Sequence, residues 1–66
     1  MIKNGKTYVK VQHETQGSRM EAGDVCYIDG YAQFATGRPC AVIVRDSDGV
    51  MEWADIPNLK AIKETD

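Results

Sequence analysis

Cys40-Ala41-Val42-Ile43-Val44 is the longest uninterrupted apolar run in the chain, and it is only five residues long. It is apolar at consecutive positions and rich in β-branched residues, so neither of its faces suits water. A helix needs roughly ten or more residues to make use of such a run, whereas a strand of average length needs about five or six. Pro39 precedes it, and a residue without an N–H does least harm at the first position of a strand. The chain must therefore cover one short strand on both sides, using only 66 residues in all. A chain of this size folds as one domain and buries a modest share of its surface.

The rest is punctuated like a small all-β domain. Asn4-Gly5 signals a tight turn, because both residue types tolerate positive φ. Residues 6–13 alternate, with Val9 and Val11 on one face and Tyr8, Lys10 and Gln12 on a wet face. Residues 14–23 are polar, contain two glycines and predict a long mobile loop with at most one helical turn. "DVCYIDG", residues 24–30, predicts a strand with two candidate inward faces, Val25 with Tyr27 or Cys26 with Ile28. The second is favoured, since Tyr27 can then keep its hydroxyl in water.

Residues 30–39 predict a second loop, with Gly37 supplying a left-handed turn. "DSDG", residues 46–49, predicts a hairpin turn, and residues 50–54 the returning strand. On that strand Glu52 is assigned to water and Met51 and Trp53 to the opposite face. Ile56-Pro57-Asn58-Leu59 fits one 3-10 turn, and Leu59, Ala61 and Ile62 lead into a last strand. Residues 1–5 and 63–66 read as frayed ends of a single domain spanning 1–66.

This order, with "WADIPNLKAI" (53–62) and "AGDVCYIDG" (22–30), resembles the SH3-like small β-barrel over residues 6–63. The resemblance implies an all-β, closed, five-stranded barrel with a 3-10 turn before the last strand. The acidic-aromatic N-terminal motif and paired tryptophans of signalling SH3 domains are missing, so no polyproline groove is expected. The pattern "YIDGY…PCAVIV" also resembles small phage or prophage proteins and implies no particular activity.

Composition narrows the function classes. No apolar run approaches the roughly 20 residues of a membrane span, and the N-terminus lacks the apolar stretch of a secretory signal. A cytoplasmic protein without a membrane partner is expected. Net charge is −2, unevenly spread: residues 1–20 carry +3 and residues 21–66 carry −5. That is not the footprint of an obligate nucleic-acid binder.

Chemistry is sparsely provided for. Cys26 and Cys40 form neither a C-x-x-C pair nor a disulfide framework, and His13 is the only histidine. Opposing Gly30 to Pro39 puts Cys26 across from Ile43, with no bridge; opposing Gly30 to Thr36 would bring the cysteines together but leave Gly37 and Pro39 inside a strand. The first register is favoured. Asp46-Ser47-Asp48-Gly49 fails the spacing of a calcium loop, and the glycines form no phosphate loop, so no metal or cofactor is expected. A thiol enzyme built on Cys26 or Cys40 with His13 is arithmetically available, but both cysteines read better as core fillers.

Two binding readings remain. The first is a non-enzymatic module, a monomer or weak homo-oligomer, that binds a protein partner through the 30–39 loop. Tyr31, Phe34 and Arg38 would make the contact, with Tyr27 and Trp53 at its rim and Arg38 pairing a partner carboxylate. Phe34 has a second reading as a plug of the barrel end, and Trp53 as core or core rim. The alternative is a nucleic-acid binder, in which Lys3, Lys6, Lys10 and Arg19 contact phosphates and Tyr8 stacks on a base.

Overall fold

The computed structural model describes residues 1–62, so the expected fraying of 63–66 lies outside the described residues. Its strands are β1 (Ile2–Lys3), β2 (Lys6–Val11), β3 (Val25–Gln33), β4 (Pro39–Arg45), β5 (Met51–Asp55) and β6 (Leu59–Ala61). A 3-10 turn, Ile56–Asn58, joins the last two. All pairings are antiparallel, in the order β1-β2-β3-β4-β5, with β6 also on β2. No helix among the described residues is long and apolar enough to cross a membrane.

Two expectations about the sheet are corrected. There are six strands, because Asn4 (φ 54°) and Gly5 (φ 75°) fold Ile2–Lys3 back onto Lys6–Thr7. Residues 1–5 are thus a short hairpin arm, tied further by the Met1 carbonyl, which accepts the Tyr8 N–H at 2.8 Å, and by the Met1 amine, which donates to the Ile62 carbonyl. Nor does the ladder close into a barrel. β5 pairs only with β4 and β6 only with β2, the 3-10 turn carrying the chain from one to the other without pairing them.

The apolar run sits where its composition requires, between β3 and β5. Ile43 and Ala41 face a cluster made by Val9, Val11, Met20 and Cys26, with Ile28, Val50, Ala54 and Leu59 packed against it. Full burial of Ile43 contributes about 2 kcal/mol. Cys26 and Ile28 point inward as favoured from the sequence. On the other side of β4, Cys40 and Val44 are buried as well.

The register of β3 on β4 is neither of those weighed from the sequence. β3 continues through Tyr31 to Gln33, which opposes Pro39, and the connecting loop shrinks to residues 34–38. The Phe34 N–H donates to the Arg38 carbonyl at 2.9 Å, and Gly37 (φ 87°) makes the tight corner. A bulge between Ile28 and Gly30 absorbs one extra residue. Cys26 therefore opposes Arg45, Cys40 opposes Ala32, and both thiols are free.

The segment 12–24 is irregular, as expected, but it is anchored and has no helical turn. Met20 inserts into the core cluster at 3% exposure. The Gly23 N–H donates to the Val11 carbonyl at 2.8 Å and the Val11 N–H to the Asp24 carbonyl at 3.0 Å. Arg45 clamps the segment to the 46–49 hairpin: it donates to both Asp48 carboxylate oxygens (2.9 and 2.7 Å), to Asp24 (2.9 Å) and to the Arg19 carbonyl (3.0 Å).

Four side chains differ from the sequence reading. Tyr8 is buried at 7% exposure, its ring edge-on to Tyr27 at 5.9 Å and its hydroxyl donating to Asp46 at 3.4 Å. On β5, Met51 and Trp53 do lie opposite Glu52, but they are the exposed pair. Glu52 turns inward because Arg19 meets it there, with Nη2 at 2.8 Å and the backbone N–H at 3.3 Å.

Candidate functional site

Segment 12–24, the 34–38 loop, β5 and the 3-10 turn surround a groove of about 300 Å³. Its apolar wall is Phe34 on Trp53, ring centroids 6.3 Å apart and planes tilted by 55°. Its polar wall includes His13, Glu52, Asp55 and Asn58. Phe34 reaches the groove because the short loop turns back beside β5; it is half-buried, lies outside the core cluster and lines the groove together with the core residues Val11, Met20 and Ile43. Trp53 is 51% exposed, so it is not a core residue.

The groove's charges are mostly matched within the chain. Direct hydrogen bonding from Arg19 lowers the Glu52 pKa from its ordinary value. Arg38 Nε lies 2.9 Å from Asp55 Oδ1, so the cation expected to meet a partner carboxylate already has one in cis. The N–H does not point along that contact. Asp55 Oδ1, though shielded from water, is left as an acceptor without a hydrogen bond. Buried polar atoms of this kind are uncommon and call for an explanation.

Of the residues first assigned to a protein contact, Phe34 and Trp53 come together, and Arg38 joins them through Asp55. Tyr31 is 70% exposed on β3, not in the loop, and does not line the groove; neither does Tyr27, which packs on Tyr8. His13 and Asn58 were not singled out from the sequence as groove residues, because only the docking of the 3-10 turn on the end of β2 brings them there. That docking is visible in the Gln12 N–H, which donates to the Asn58 carbonyl at 2.9 Å, and in Gln12 Nε2, which donates to the Pro57 carbonyl at 3.0 Å.

The basic set is also rearranged. Tyr8 is too buried for a base to stack on it, and the guanidinium of Arg19 is taken up by Glu52 and the Met51 carbonyl. Lys3 and Lys6 oppose each other across β1 and β2, and Lys10 opposes Lys60 across β2 and β6. The half-buried Tyr27 carries the Lys6 amine over its ring, 4.2 Å from the centroid.

The cysteines are closed off from solvent. Both are fully buried, and desolvation pushes the Cys26 thiol up to about 11, with its Sγ against Met20 Sδ at 3.8 Å. A catalytic thiol needs the opposite shift and access to substrate. Among the described residues no three His, Cys, Asp or Glu side chains gather as a metal site.

Comparisons with protein-family models, curated proteins and solved structures give no match. The geometry establishes a small all-β antiparallel domain with a 3-10 turn before its last strand.

Proposed function

We propose that the protein is a non-enzymatic interaction module that takes a segment of a protein partner into the Phe34–Trp53 groove. The observation that carries this reading is Trp53. It is the only tryptophan, it is half exposed, and it meets a loop phenylalanine at a tilt beside a concave surface. Rigid aromatics in that position are the usual anchors of binding. The partner segment thus carries an apolar side chain for the aromatic wall.

The proposal includes an SH3-like arrangement acting in the cytoplasm as a monomer or weak homo-oligomer. The long segment after β2, the tight hairpin before β5, the 3-10 turn and the return of β6 to β2 support that arrangement.

The test is capture from host extract, followed by titration of the purified partner while reading the emission of the single tryptophan. Trp53→Ala and Phe34→Ala are expected to abolish capture with melting temperatures within a few degrees of the parent. A partner held equally well by Trp53→Ala overturns the groove assignment.

A further inference from the structure

We infer that the outer face of β1, β2 and β6 binds a single-stranded nucleic acid through its phosphates. This is a second surface, independent of the groove reading. In a β-ladder, directly opposed residues point to the same face, and so do residues i and i+4 on one strand. Lys3 opposes Lys6, Lys10 opposes Lys60, and Lys6 and Lys10 are both on β2. All four lysines therefore project from one face, and all are exposed.

Like charges directly opposed in a sheet destabilise it. Here there are two such pairs in a chain whose net charge is negative. Among the described residues none of the four has a carboxylate within 4 Å. Asp29 on β3 is unpaired at the bulge, and Asp46 reaches this face between the two lysine pairs, where it accepts from the Tyr8 hydroxyl at 3.4 Å. Within the fold Lys6 rests over the Tyr27 ring, and a bound polyanion would relieve the repulsion in both pairs.

Geometry favours a nucleic acid over an acidic peptide. The two lysine pairs stand about 13 Å apart along β2, four residues at roughly 3.3 Å each. Between them and beside β2 lies Tyr27, with Lys6 resting on its ring. Cations flanking an aromatic face match a phosphate backbone that carries stacking bases. On binding, the Lys6 amine leaves the ring for a phosphate and a base takes its place. A depression of about 360 Å³ beside Lys10 and Lys60, bordered by Ala61 and Ile62, gives room for the strand to continue.

The probe is a fluorescein-labelled oligothymidylate, read by anisotropy against salt. Binding is expected at low salt, with a slope of log affinity on log salt near −3, about 0.7 per phosphate for four lysines. Lys10→Gln and Lys60→Gln should each weaken binding several-fold, flatten the slope by about 0.7 and leave the melting temperature level or higher. Tyr27→Leu should weaken binding about fivefold or more with the slope unchanged. Ala35→Glu, which shifts net charge by the same one unit on the distant loop, should change little. Absence of binding at low salt, retention on heparin without oligonucleotide binding, or equal losses from Ala35→Glu and Lys60→Gln would each overturn the inference. None of these outcomes bears on the groove, which is read through Trp53 and a protein partner.

Discussion

Asn58 and His13 exchange two hydrogen bonds across 45 residues of chain: Asn58 Nδ2 donates to the His13 carbonyl at 2.8 Å, and the His13 N–H donates to Asn58 Oδ1 at 3.0 Å. The side-chain amide imitates a strand neighbour and fastens the 3-10 turn to the end of β2. Asn58→Ala should cost about 1–2 kcal/mol. Asn58→Asp should cost at least as much, because a carboxylate oxygen would then face the His13 carbonyl. Urea unfolding checks both, and an unmoved midpoint would show that the pairing contributes nothing.

Acid should loosen the fold through three carboxylates. Asp48 is held down at about 2 by its bond to Arg45, Asp24 is lowered by the Glu21 N–H and then by Arg45, and Glu52 by Arg19. Their folded pKa values lie below the unfolded ones, so their stabilisation is full above the unfolded values and is lost as pH falls through the folded ones. The melting temperature should therefore drop as pH falls from 4.5, the ordinary Glu value, towards about 2. Arg45→Gln should melt lower than the parent at neutral pH and lose less on acidification. Parallel curves for the two proteins would refute the clamp.

Both cysteines should resist a thiol alkylator in the folded protein at pH 8, since each is fully buried and Cys26 stays protonated. In urea both should react. Intact-mass measurement during the titration should show labelling that follows the unfolding curve.

Met20 should behave as a core residue despite its place in an irregular segment. Met20→Ala is expected to cost about 2–4 kcal/mol, while Gln16→Ala, on the exposed part of the same segment, stays within about 0.5 kcal/mol. Equal effects would mean that the segment is not packed.

The strands were legible where period and punctuation agree. Val9 and Val11, the apolar run at 40–44, the "DSDG" hairpin and the Ile-Pro turn all stand where local chemistry puts them. What escaped depends on distant partners. Glu52 faces inward only because Arg19 arrives from another segment, and Met20 is core only because Arg45 and Val11 hold its segment down. Tyr8 carries a polar tip on a polar-looking face and is nevertheless covered, since Tyr27 lies against it. The candidate groove was half visible: Phe34 and Trp53 were named, but the contact between them depends on a loop shorter than the glycine and proline spacing suggested.

Opposed residues share a face, so β4 decides which way Gly30 to Gln33 turn, and the unpaired Asp29 is spare length that keeps both halves of β3 in step with it. A one-codon deletion at Asp29 would leave Ile28 on Ile43 and Gly30 on Val42 as neighbouring pairs and preserve the aromatic contact. The same deletion at the paired Ala32 would swing Gln33 and Phe34 to the opposite side, without a contact atom of the aromatic wall having been mutated.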